Sequence, residues 1–285
     1  ERKADAVERF QAFSEPREET IVDANAFLGE WPYRELEGRT DELLDRMDTE
    51  GVDKALVSSL DAVHRRNVPK ANHRLFDRIE GHEDRLIPVA TVDATYTKWE
   101  ENLDKCVERG AKAVKILPMY HGYDLDEAAA RKAMDAAAER DLPVIICTTL
   151  EDNRMDHPTH TPRGTEGNWR YVGRLSGEQQ SNLIGLLKDC PDTDVVIDGA
   201  WTNGPEILES VRSHIDEHRM RNANHEGRIL FNIKDLFIYY QVQADRVPEE
   251  VGVDHLTFSA QLPFKVFQSY YGYVEHLPID EEEMD

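Results

Sequence analysis

Lysine is scarce in this 285-residue chain: 11 Lys stand beside 23 Arg and face 57 acidic side chains, for a formal net charge of −23. So little positive charge repels phosphate backbones and anionic lipid, which argues against nucleic-acid and membrane binding. Cysteine is rarer still. Cys106, Cys147 and Cys190 are odd in number and lack CxxC spacing, so neither a disulfide framework nor a zinc-finger pattern follows. No window approaches the roughly 18 apolar residues of a membrane span, and the N-terminal stretch has no signal-peptide core. A cytoplasmic protein is the expectation. No GxGxxG follows an early strand, so the usual cofactor fingerprint of an open doubly wound sheet is missing.

What remains suffices for one sizeable core. The hydrophobic set is 40% of the chain and aromatics 8%, which excludes a disordered chain despite the charge. The acids are spread along the whole length rather than gathered in a tail. High salt screens the self-repulsion of such a surface, so a salt-adapted, halophilic protein is expected.

Short apolar segments rich in Val, Ile and Leu alternate with helix-like ones. The strand expectations are 20–23, 55–58, 86–92, 113–117, 143–147, 195–197, 230–233 and 256–259; their continuous apolar character suits strands buried on both faces. Helical patterns fall at 40–50, 71–80, 96–109, 127–140, 177–188 and 205–219, and the glycines at 51, 110 and 252 read as turns into the next strand. Eight strands with intervening helices predict an α/β fold, a closed (β/α)8 TIM barrel in a single domain over residues 20–275. A helical N-terminal extension (1–19) precedes it and an acidic tail (276–285) follows. The longest irregular stretch, about 151–173, leaves the fifth strand at the end where barrels assemble their active sites.

Several segments together resemble the amidohydrolase superfamily, in particular the group with lactonases and decarboxylases of small carboxylated substrates. Ile21-Val22-Asp23-Ala24-Asn25-Ala26-Phe27-Leu28-Gly29 is similar to its opening strand, and Gly51-Val52-Asp53-Lys54-Ala55 to its second. Gly110 to Pro118, followed by Tyr120-His121-Gly122-Tyr123, resembles the fourth; Leu142 to Ile146 the fifth; and His255 to Pro263 the eighth. The resemblance spans about Ile21 to Phe264. It implies a metal held by two His on the first strand, His on the fifth and sixth, and Asp on the eighth. At those positions this chain carries Asn25, Phe27, Cys147, Gly199 and Gln261, and a one-residue slip would bring Asp198 to the sixth-strand position. Neutral amides, a phenyl ring, a glycine and one thiol do not make the three or four converging donors a zinc-like ion requires. The expectation is no metal and no cofactor. His157 and His160 on the long loop form an HxxH, read as two polar loop histidines.

The residues expected to carry chemistry lie near strand ends. Asp152 and His157 on the long loop, with His121 after the fourth strand, are the candidate acids and bases. Arg34 and Arg154 are candidate forks for an anionic group. Tyr120, Tyr123, Asn25, Trp201, Asn232, Lys234 and Gln261 are expected to line the pocket. Lys115 reads as a buried cation, a Schiff-base nucleophile or a surface side chain, with a salt-bridged structural lysine preferred. The resulting expectation is a metal-independent hydrolase, lactonase-like, or a decarboxylase of a small carboxylated metabolite. The alternative is a barrel that binds a metabolite or partner without catalysis. Self-association into homo-oligomers is expected from the resemblance alone. For the salt adaptation, melting temperature should climb steadily from about 0.1 M to molar KCl as charge repulsion is screened; a flat or falling curve would refute it.

Overall fold

The computed structural model describes residues 20–32, 35–36, 38–64, 67–148, 150, 177–190, 193–198, 229–232 and 251–264. Eight parallel strands stand in chain order: β1 (Val22–Leu28), β2 (Lys54–Ser59), β3 (Leu86–Val92), β4 (Ala113–Ile116), β5 (Val144–Cys147), β6 (Val195–Asp198), β7 (Ile229–Asn232) and β8 (Leu256–Thr257). Each pairs with the next. Beyond β8, the Ala24 N–H donates to the Phe258 carbonyl (2.9 Å) and the Phe27 N–H to Leu262 (2.8 Å), which joins the end of the ring to its start. The (β/α)8 barrel expected from the sequence is the fold.

The described helices are α1 (Thr40–Glu50), α2 (Asp61–His64), α3 (Val68–Arg78), α4 (Trp99–Glu108), α5 (Pro118–His121), α6 (Ala128–Ala138) and α7 (Gly177–Asp189). Gly51 ends α1 at φ 71, a left-handed backbone that a side chain would strain, and its N–H closes on the Met47 carbonyl. The third helix starts at Val68, three residues before the expected Ala71. Asn67 caps it by accepting the Lys70 N–H (3.0 Å), and Pro69 is tolerated in a first turn that needs no intrahelical donor. The helical expectations for 4–14 and 205–219 lie outside the described residues.

The first strand departs most from expectation: 20–23 was expected, and Val22–Leu28 is observed. Its polar Asn25 interrupts an apolar pattern without ending the strand, because period-2 alternation turns it to the barrel axis with Asp23 and Phe27. Ala26 and Leu28 point the other way and pack with Leu43, Met47 and Leu75 of the helices. Inside the ring lie three layers. Val89, Ala113 and Ile145, with Leu56 and Val196 against them, plug the N-terminal end. A polar layer follows, and an aromatic one closes the C-terminal end.

Pairing between β2 and β3 stops at Pro88. Above it the Asn72 side chain from α3 replaces the missing strand: its amide N–H donates to the Thr91 carbonyl (2.7 Å) and its oxygen accepts the Thr91 N–H (3.1 Å), all buried. Leaving two buried backbone groups unpaired is costly. Asn72→Ala should therefore lower unfolding free energy by about 2–3 kcal/mol in urea denaturation; a loss within experimental scatter would show that water substitutes for the amide.

Candidate functional site

The polar layer sits at the strand tips and centres on Asp198, the last residue of β6. Its carboxylate accepts three side-chain amides: Asn232 from β7 (2.8 Å), Gln261 from the segment after β8 (2.8 Å), and Asn25 from β1. The same Asn25 amide turns its oxygen to the ammonium of Lys115 on β4. Lys115 also donates to Ser58 Oγ on β2 (2.6 Å) and lies 4.1 Å from the centre of the Phe27 ring, within cation–π range. A cation, a neutral bridge and an anion thus stand in series across the barrel, with Lys115, Asn25 and Asp198 fully buried. Six strands or their extensions contribute. Apart from Asn25 and Phe27, both on β1, these residues are far apart in sequence.

Two further groups hold the layer in register. The Asp23 carboxylate accepts the Asn25 N–H (2.9 Å), and Ser259 Oγ donates to the Asn25 carbonyl (3.3 Å) while accepting the Gln261 N–H (3.1 Å). Gln261 takes φ 53, a left-handed conformation that costs a residue with a side chain roughly 1–2 kcal/mol. Its bonds to Ser259 and Asp198 hold it there, and strain retained this way is common at functional sites.

Over the polar layer lie Phe27, Trp31, Leu60, Leu117, Leu150 and Phe264, with Tyr120 packed against them. Trp31 meets His64 at 4.6 Å and Phe264 edge-on at 4.9 Å; Phe264 meets Phe27 edge-on at 5.7 Å. Tyr120 takes the Leu150 N–H on its hydroxyl (3.0 Å). Beside this wall, a groove of about 1400 Å³ runs along α1 and includes Trp31 and His64. Its lining carries seven carboxylates, among them Glu30, Asp41 and Asp61, which makes it a poor seat for an anion.

The sequence-predicted residues therefore separate. Asn25, Asn232 and Gln261 converge on one carboxylate, and Tyr120 belongs to the aromatic wall above. His121 lies elsewhere: its Nε2 donates to the Ala62 carbonyl (3.0 Å), and Nδ1 faces Asp93 at 3.9 Å. Burial holds its pKa below the ordinary value, although Ala62 and Asp93 pull the other way. Tyr123 is buried, and its phenol is pushed upward by desolvation. Arg34, Asp152, Arg154, His157, Trp201 and Lys234 lie outside the described residues, as do His160 and Gly199. Asp198, Asp23, Ser58 and Ser259 were not among the expected site residues. Strand phase was the available signal, since Asp23 is two residues from Asn25 and Asp198 is two residues from the inward-facing Val196.

The three cysteines are buried and form no disulfide, and burial pushes Cys106 and Cys190 up to about 11. Among the described residues no group of three or more His, Cys, Asp or Glu side chains comes together as metal ligands. The strand-tip side chains among the described residues do not suit a divalent ion: Asp198 accepts from three amide N–H donors, and a lysine ammonium is already in place.

The Asp23 carboxylate beside this layer is shifted upward. Burial raises its pKa from 3.8 to about 6, and the neighbouring Asp198 charge adds to the rise. A raised carboxylate pKa stabilises the fold fully below the unfolded value, and this contribution is lost as pH climbs through the folded one. Asp23→Asn should therefore gain on the wild type between pH 4 and 6 by about 3 kcal/mol, then hold a constant difference above that window. Parallel denaturation curves across that range, with no pH-dependent gap between the two proteins, would contradict it.

Comparison with known proteins places this architecture. No curated protein matches the sequence. Among solved structures, 2,6-dihydroxybenzoate decarboxylase from Rhizobium superposes with a TM-score of 0.60 at 14% identity, over 93% of this chain and 94% of the other. A 5-carboxyvanillate decarboxylase from Sphingomonas paucimobilis gives 0.61 at 13%, over 93% and 95%. A dihydroxybenzoic acid decarboxylase from Polaromonas sp. JS666, solved with manganese and the inhibitor 2-nitroresorcinol, gives 0.61 at 14%, over 93% and 92%. Identities this low establish a shared fold only. The amidohydrolase family profile matches residues 14–284, nearly the whole sequence, and the chain belongs to that family.

Proposed function

We propose that this protein decarboxylates a small carboxylated aromatic acid at the strand tips, without a resident divalent ion. One observation carries the reading: an ammonium and a carboxylate, Lys115 and Asp198, are held by amides directly beneath a wall of aromatic rings. The fold shared with decarboxylases of hydroxylated benzoic acids supports the substrate class. Trp31, Phe264 and Tyr120 offer edge and face contacts to an aromatic ring, and the Lys115 charge attracts the carboxylate. Decarboxylation breaks the ring–carboxyl bond, releases CO2 and leaves the ring carbon to take a proton. In this reading Asp152 and His157 handle that proton, and Arg34 and Arg154 orient the anionic group. Lys234 and Trp201 are assigned to substrate contact in the same reading, and Asn232 to holding Asp198; His121 and Tyr123 take no part. Lactone hydrolysis uses the same groups with water as nucleophile. A cytoplasmic, salt-rich setting and self-association belong to the same reading; among the described residues no helix is long and apolar enough to cross a membrane.

A second reading has its own observation. Lys115, Asn25 and Asp198 have no solvent exposure, so the layer could serve as a structural plug in a barrel that binds without turnover. Chelator-treated protein incubated with hydroxybenzoic acids and small lactones separates the two. Turnover should persist in EDTA and fall by about 10²–10⁴-fold in His157→Ala and Asp152→Asn. Binding without CO2 release or ring opening would favour the plug, and activity that chelation abolishes and manganese restores would overturn the metal-free chemistry.

A further inference from the structure

The middle of a barrel is an expensive place for an isolated charge, since desolvating an ammonium costs several kcal/mol unless a partner compensates. Lys115 is fully buried, and it donates to the oxygens of Asn25 and Ser58. The Asn25 amide ties that charge to an anion. One amide has an acceptor at one end and a donor at the other, so a residue whose oxygen faces the ammonium must present its N–H to whatever lies beyond. What lies beyond is the Asp198 carboxylate. The amide dipole therefore sets its negative end at the cation and its positive end at the anion, which strengthens the attraction between them. Asn232 and Gln261 supply the remaining donors to Asp198, and the Phe27 ring offers its electron-rich face to the ammonium.

We infer that Lys115, coupled to Asp198 through the Asn25 amide, is a built-in cation that fills the strand-tip position a divalent ion would need. The donor chemistry excludes joint occupancy. A divalent ion wants oxygen or nitrogen lone pairs, but the Asn25 oxygen is given to Lys115 and the Asp198 oxygens face N–H groups. The ammonium supplies one positive charge on a covalent tether that no chelator removes and that does not depend on metal supply. The inference stands whether or not the proposed reaction does, because it concerns the charge balance of the layer and is read through stability and metal content.

Two measurements test it on the full chain. In the first, wild-type protein is dialysed against manganese, zinc or magnesium, then assayed for bound metal and melting temperature. The expected result is far less than one equivalent bound and a shift of no more than about 1 °C, since an ion that does not bind the folded state cannot stabilise it. One tightly held equivalent with a rise of several degrees would overturn the inference. In the second, Lys115→Met, Asp198→Asn and the double variant are melted together. Each single variant strands one buried charge and should lose roughly 5–15 °C. In the double variant both charges are gone, and the Asn25 amide is free to flip and accept from Asn at position 198. The double should therefore recover at least half of the loss predicted by adding the singles. Recovery of folded double variant where a single one fails to fold carries the same meaning. Strictly additive losses would show that Lys115 and Asp198 are not coupled and would overturn the inference. If none of the variants folds, the metal measurement on wild type decides alone.

Discussion

The Asn25 amide is the joint on which the barrel's centre depends. It is the shared neighbour of a buried ammonium and a buried carboxylate, and it orients both. At an effective dielectric of about 20, charges separated by one amide still attract by a few kcal/mol, which helps offset their desolvation. That compensation requires the amide, its strand and the two charged strands to be in register. The layered interior provides it: an apolar plug below fixes strand spacing, and aromatic packing above keeps water from competing for the hydrogen bonds. The left-handed Gln261 and the extra carboxylate of Asp23 are costs that such an over-determined layer can carry.

Seen this way, the amidohydrolase barrel separates into a scaffold and an interior. The scaffold is shared with decarboxylases at about 13–14% identity, which is possible because strand and helix packing needs only the right apolar pattern and volume. A decarboxylase of the same fold was solved with manganese, while the strand tips here hold an ammonium; one ring of strands accommodates both, because chemistry is set by inward-pointing side chains rather than by topology.

The order of elements was legible because both signals are local. Buried parallel strands read as short Val- and Ile-rich runs, and β3 came out with its expected limits, as did α1. Where the reading erred, a polar residue with a tertiary partner was responsible. The apolar pattern gave a first strand of only 20–23, because the polar Asn25 breaks it and the partners that satisfy its amide lie on distant strands. The early start of α3 was in fact written in Asn67 and Pro69, a cap and a first-turn proline. In the polar layer, Asn25 and Gln261 were singled out by the family resemblance and Asn232 by its place near the end of the seventh strand. Asp198 was visible only as a one-residue ambiguity beside Gly199, since a single step along a strand moves a side chain from one face to the other. His121 shows the limit of reasoning from residue type: an imidazole after a strand end suggests acid–base chemistry, while its contacts run to Ala62 and Asp93.

By itself the sequence determined the fold class and the strongly acidic composition. Those properties depend on residue identity and local periodicity, which one chain displays in full. Only the tertiary structure decided what meets at the strand tips. Lys115 and Asp198 are 83 positions apart in the chain, and neither signals the other. Their connection exists because ring closure sets β1 among the inward faces of β4 and β6 and aims one amide at both charges.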